Sequence, residues 1–196
     1  EIDGHEVVIG VSIGIALGPQ DAAGSNELMR NADLALYRAK EEGRGAYCFF
    51  EPNMNAQMQA RDAMEHDLRK ALTRGEFELH YQPVVNLERN EISSVEALLR
   101  WRHPERGIIL PGEFIPLVEE NGFIVPLGEW ALRTACATAA RWPHDIKVSV
   151  NISPVQFKNP GLAQILVGAL AASGLPAERL ELEVTETVLF EDSEAT

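Results

Sequence analysis

Three apolar runs rich in β-branched residues decide the fold: SVEALLRW at 94–101, KVSVNIS at 147–153 and LELEVTE at 180–186. Each run is typical of a strand with at least one buried face. A fourth strand is predicted over 77–87, ahead of the other three. Four strands are too few to close a barrel of eight, so the pattern predicts an α/β fold with part of a barrel.

Helical spacing of apolar residues predicts helices between these strands, over 113–120, 128–141 and 159–174. In the last of them, Asn159 would cap the helix and Pro160 would occupy its first position, which is a favoured place for proline. Strands that alternate with helices in this way are typical of a parallel sheet.

The first 50 residues form a smaller pattern of strand, helix and strand. The strands are predicted over 7–17 and 46–50, and Ser25 is placed to cap the helix between them. An amphipathic helix over 54–74 follows, with Gly75 at its end. We therefore predict one unit at 1–53, a connector helix at 54–75 and a second unit at 76–196.

Charge and hydropathy exclude two classes of partner. The 17 Lys and Arg residues against 30 Asp and Glu residues give a formal net charge of −13, which disfavours binding of long nucleic acids through their phosphates. The longest apolar stretch, over 7–17, is shorter than the roughly 18 residues needed to span a membrane. We expect a cytoplasmic segment, either of a longer soluble polypeptide or of a membrane-anchored one.

An oxygen ligand interrupts each of the three runs. Glu96, Asn151 and Glu183 stand where a buried strand would prefer apolar residues, and a buried carboxylate is usually paired or bound to a metal. Carboxylate and amide oxygens suit Mg²⁺ or Mn²⁺. The alternatives are an ion pair between Glu96 and Arg100 and a turn cap made by Asn151.

Two further residues are candidates for binding a substrate. Arg100 would point the same way as Glu96 and could hold a phosphate, or it is an ordinary surface charge. Gln82, before Pro83, is placed to hydrogen-bond either a nucleobase edge or the neighbouring strand.

The same residues lie in motifs of a known family. Residues 76–196 resemble the first part of an EAL domain, the cyclic-di-GMP phosphodiesterase family of bacteria, and residues 1–50 resemble the last third of a GGDEF domain, the diguanylate cyclase family. The EAL-like motifs, in the family's order and spacing, are YQPVVNL (81–87), EALLRWRHP (96–104), PGEFIPLVEENG (111–122), NISPVQF (151–157) and EVTE (183–186). The GGDEF-like motifs are VSIGIAL (11–17) and ADLALYRAKEEGR (32–44).

The resemblance implies a (β/α)₈ TIM-like barrel whose first strand runs opposite to the rest, and hydrolysis of cyclic-di-GMP to the linear dinucleotide at a two-metal site. It assigns Glu96, Asn151 and Glu183 to the metal and Arg100 and Gln82 to the substrate. Glu186 would steady the loop that supports the metal. In the GGDEF-like part, Lys40 and Arg44 match family positions that contact nucleotide triphosphate.

The family's paired aspartates, which supply most ligands of the second metal, and its catalytic lysine have no counterpart in residues 76–196. We therefore expect residues 1–196 alone to hydrolyse little cyclic-di-GMP. Two other functions stay open: a non-catalytic cyclic-di-GMP receptor, and a protein that acts mainly as a diguanylate cyclase. The open strand edge of a partial barrel also favours pairing with another chain, as in a homodimer.

Overall fold

The computed structural model describes residues 10–41, 43, 45–143 and 146–184 of the 196-residue chain. The chain divides into two compact units, Glu1–Met64 and Glu65–Thr196. None of the helices in the described ranges combines the length and the apolarity needed to cross a bilayer.

The first unit contains a small parallel sheet and a helix that packs on it. Strand β1 (Ile13–Ile15) pairs with β2 (Tyr47–Phe49), and α1 (Ser25–Glu41) joins them. Gly14 allows the close approach of α1, because a Cβ atom there would lie 2.0 Å from the Ala32 carbonyl oxygen. The predicted strand over 7–17 is thus shorter in the structure, and its first three residues lie outside the described ranges.

The predicted connector helix is present as α2 (Asn53–Ala71), which runs across the division between the units. Within the second unit its last turns bury Leu68 and Ala71. Gly75 follows with a positive φ of 67°, the backbone conformation that glycine adopts most easily after a helix.

The second unit is built on a five-stranded mixed sheet in the order β3-β4-β6-β7, with the short β5 beside β4. Strands β3 and β4 are antiparallel, whereas β4, β6 and β7 are parallel. The strands are β3 (Phe77–Asn86), β4 (Glu91–His103), β5 (Gly107–Ile109), β6 (Lys147–Ile152) and β7 (Leu180–Val184). The predicted α/β fold is confirmed, including the opposite direction of its first strand.

The helices of this unit begin at other residues than the sequence predicts. The helices are α3 (Pro111–Glu120), α4 (Ile124–Ala139), α5 (Pro154–Phe157) and α6 (Leu162–Ser173). α3 starts two residues early because proline fits the first turn of a helix. α6 starts two residues later than the predicted first helical position, Pro160. Asn159 accepts a hydrogen bond from the Gly161 N–H and so shapes a turn before the helix.

The helices cover one face of the sheet. Ala97 of β4 and Val148, Val150 and Ile152 of β6 form a buried cluster with apolar residues of α4, among them Leu132. Side chains alternate between the faces of a strand, so the residues between these core positions lie on the opposite face. That second face carries the polar residues and positions the candidate site.

Candidate active site

The strand register brings the predicted ligands onto one face. Gln82 lies opposite Glu96 on the antiparallel pair, and Glu96 lies opposite Ser149 on β6. Asn151, two residues beyond Ser149, lies opposite Glu183 on β7. Directly paired residues point to the same side of a sheet, so these side chains share the face that the helices leave uncovered.

Glu96 and Asn151 are in direct contact. The Asn151 Nδ2 atom donates a hydrogen bond to Glu96 Oε1 at 2.8 Å. Arg100 donates to the Leu99 carbonyl oxygen, and Ser153 caps the turn that follows β6. The contacts described for these residues thus include neither the Glu96–Arg100 ion pair nor the turn cap by Asn151. Since its amide nitrogen donates, Asn151 keeps its amide oxygen as an acceptor for a cation.

This set of residues fits a divalent cation by its chemistry. It offers two carboxylates and one amide oxygen, which are hard ligands, from neighbouring strands about 5 Å apart. Asn151 and Glu183 are exposed and Glu96 is half-buried, so an ion would have access. Within the described residues, no group of three or more His, Cys, Asp or Glu side chains is placed to hold a metal. A metal site at this place would therefore need the amide oxygen of Asn151 as a ligand.

Arg100 extends the candidate site along β4. It lies four residues beyond Glu96 on the same face, and its Nη1 atom donates to the carbonyl oxygen of Leu99 at 2.8 Å. Its cross-strand neighbour Glu78 is bound instead by His80 and Arg102, at 2.9 Å each. The hydrogen bond from His80, together with Arg102, holds the pKa of the Glu78 carboxyl below its ordinary value of 4.5.

A mostly apolar cavity of about 280 Å³ reaches one of the candidate ligands, Asn151. It lies against the middle of β4 and the end of β6, and residues of β3, α3, α4 and α5 complete its wall. Asn151, Glu119 and Ser153 are among its few polar lining residues. The sequence did not indicate this cavity, because its wall comes from six separate elements.

The remaining predicted residues are only partly described. Lys40 is exposed in the last turn of α1. Arg44 and Glu186 lie outside the described residues, as does the end of the predicted strand beyond Val184. Their roles stay predictions.

Comparison with known proteins identifies the family. The family model of the EAL domain matches residues 65–196, and that of the diguanylate cyclase GGDEF domain matches residues 1–46. The chain belongs to the EAL domain family. Its N-terminal part is a GGDEF segment, so the two follow each other in the order GGDEF–EAL.

Curated relatives match along nearly the whole EAL and GGDEF region. An uncharacterized signaling protein of Caulobacter vibrioides is 47% identical over 190 residues, covering 97% of this chain and 24% of the relative. The bifunctional diguanylate cyclase/cyclic di-GMP phosphodiesterase MucR of Pseudomonas aeruginosa is 46% identical over 200 residues, covering 100% and 29%. The chain thus spans about a quarter of the length of these relatives.

Solved structures agree on the EAL fold. The PaMucR phosphodiesterase in complex with cyclic-di-GMP has a TM-score of 0.65 and 44% sequence identity, covering 68% of this chain and 56% of that one.

Proposed function

We propose that the EAL part of this chain binds cyclic-di-GMP and takes part in its metal-dependent hydrolysis to the linear dinucleotide pGpG. The observation that carries the proposal is the Asn151–Glu96 hydrogen bond, with Glu183 in register beside Asn151. The similarity to MucR, which is named for this activity, supports it. EAL phosphodiesterases are generally metal-dependent.

Glu96, Asn151 and Glu183 would hold Mg²⁺ or Mn²⁺, while most ligands of a second ion would come from other residues. When bound, such ions lower the pKa of a water molecule and neutralise charge on the phosphate that is cleaved. The protein's own part is to orient the donors. The amide of Asn151 holds the carboxylate of Glu96 in place, and the shared strand face sets Glu183 beside them.

The substrate would be held by groups around these ligands. The Arg100 guanidinium would bind a phosphate, and Gln82 a nucleobase edge. Arg100 and the cation would together offset the repulsion between an anionic substrate and a chain of charge −13.

The other predictions complete the proposal. Glu186 would steady the loop that supports the metal site, and Lys40 and Arg44 would contact nucleotide triphosphate in the GGDEF segment. The division at 1–53, 54–75 and 76–196, the cytoplasmic location and the homodimer stay predictions.

The test is turnover of cyclic-di-GMP by the intact protein with Mn²⁺, for the wild type and for Glu96→Gln, Glu183→Gln and the control Glu88→Gln, which alters an exposed turn residue. We expect both site variants to lose at least about 100-fold in kcat/KM, since even residues that only support metal ligands are worth 10- to 100-fold. Turnover unchanged in E96Q and E183Q would contradict the proposal. Tight binding of cyclic-di-GMP without any turnover would favour the receptor function.

A further inference from the structure

The chain makes a tight turn directly after β6, and two hydrogen bonds between Ser153 and Gln156 close it. Ser153 and Gln156 form a capping box around the short helix α5: the Gln156 N–H donates to Ser153 Oγ at 3.3 Å, and the Ser153 N–H donates to Gln156 Oε1 at 3.2 Å. Pro154 at the first helical position fixes the backbone further. The turn therefore has one well-defined conformation, and it begins two residues beyond Asn151.

A glycine in α4 makes room for this capping box. A Cβ atom at Gly128 would lie 1.8 Å from Gln156 Nε2 and 2.6 Å from its Cδ. Gln156 is buried, with 5% of its surface exposed, so its amide has little space to move aside. Glycine is unfavourable inside a helix, and the close approach of Gln156 explains its presence at this position.

We propose that Gly128, Ser153 and Gln156 are positioning residues that aim the Asn151 side chain. This inference rests on the proposed function, in which the Asn151 amide oxygen is a metal ligand. The nitrogen of the same amide must reach Glu96, so a cation and Glu96 together require one orientation of the amide plane. Ile152 is buried and Ser153 is held by two hydrogen bonds, so the backbone that carries Asn151 cannot rotate freely.

Each of the two hydrogen bonds of the capping box can be removed separately by substitution. Ser153→Ala deletes the acceptor for the Gln156 N–H, whereas Ser153→Thr keeps a hydroxyl that can cap. Gly128→Ala displaces the Gln156 amide and so removes the acceptor for the Ser153 N–H. Gly112→Ala is a matched control in α3, where a Cβ atom would meet no atom within 4 Å.

The experiment measures Mn²⁺ binding to the intact protein from the electron paramagnetic resonance signal of free Mn²⁺, which gives both the dissociation constant and the number of sites. We expect S153A and G128A to weaken binding about 10-fold with the number of sites unchanged, as residues that orient metal ligands commonly do. S153T and G112A should stay within about 2-fold of the wild type. Circular dichroism melting checks that each variant is folded.

Asn151→Ala, measured alongside, separates the two claims. If N151A weakens Mn²⁺ binding while S153A and G128A do not, the positioning role is wrong and the proposed site stands. A fall in the number of sites or in the melting temperature, with an unchanged dissociation constant, would show that the turn is merely structural. If N151A itself binds Mn²⁺ like the wild type, the proposed function fails.

Discussion

Arg179, just before β7, connects the end of α4 to the start of β6 in the EAL unit. Its removal should lower the free energy of unfolding substantially. Its guanidinium donates to the carbonyl oxygen of Ile146, just before β6, from Nε at 3.1 Å and from Nη2 at 2.9 Å. Nη2 also donates to the carbonyl oxygen of Ala139, the last residue of α4, at 2.9 Å. Arg179→Met keeps the apolar stem but leaves two carbonyl groups without this donor. At about 1–3 kcal/mol for each, the free energy of unfolding should fall by about 2–6 kcal/mol.

Urea unfolding followed by tryptophan fluorescence measures this loss, because all three tryptophans lie in the EAL unit. With a denaturant slope of about 2 kcal/mol per molar, the midpoint should fall by about 1–3 M. Arg133→Met is the control: Arg133 forms an exposed helical pair with Glu129, worth about 0.3–0.5 kcal/mol. An R179M midpoint equal to that of R133M would show that the Arg179 hydrogen bonds do not stabilise the unit.

Two further predictions concern other buried groups. His103 accepts backbone hydrogen bonds at Nδ1 and donates from Nε2 to Asp67 at 3.2 Å. Asp67→Ala should therefore lower the free energy of unfolding by about 1–3 kcal/mol, whereas the surface control Glu65→Ala should lower it by less than about 0.5 kcal/mol. Equal urea midpoints for the two variants would contradict this prediction. Burial raises the pKa of Tyr81 above 10.0 and that of Cys136 above 9.0, so the unfolded chain loses these protons first and stability should fall as pH rises above about 9. In urea unfolding measured across this pH range, Tyr81→Phe should show a smaller fall of the midpoint with pH than the wild type. An identical pH dependence in the variant would contradict the contribution of Tyr81.

The sequence predicted the strands of the EAL unit because their patterns are local. Alternation within LELEVTE assigns Glu183 to the face opposite Leu180 and Leu182, and the register of β7 agrees. The order β3-β4-β6-β7 depends on pairing between distant segments, which no local pattern encodes. Strand β5, with three residues, is too short to produce a periodic signal.

Helix boundaries were less predictable where tertiary contacts override local preference. Gly128 resembles a helix start in the sequence, but it lies inside α4, which begins at Ile124. The reason is the contact with Gln156 from another element, and this cannot be derived from the residues around Gly128.

The partner of Glu96 shows the same limit at the candidate site. Arg100, four residues away, was the obvious local partner, yet Asn151 from another strand makes the contact at 2.8 Å. Sequence spacing predicted which side chains share a face. Only the sheet register determines which of them meet.

The central claim is that Glu96, Asn151 and Glu183 hold one divalent ion, and anomalous diffraction from crystals grown with Mn²⁺ tests it most directly. We expect a manganese peak within about 2.5 Å of an oxygen atom of each of the three side chains. A peak bound elsewhere, or carboxylates of Glu96 and Glu183 that point away from any shared ion, would contradict it.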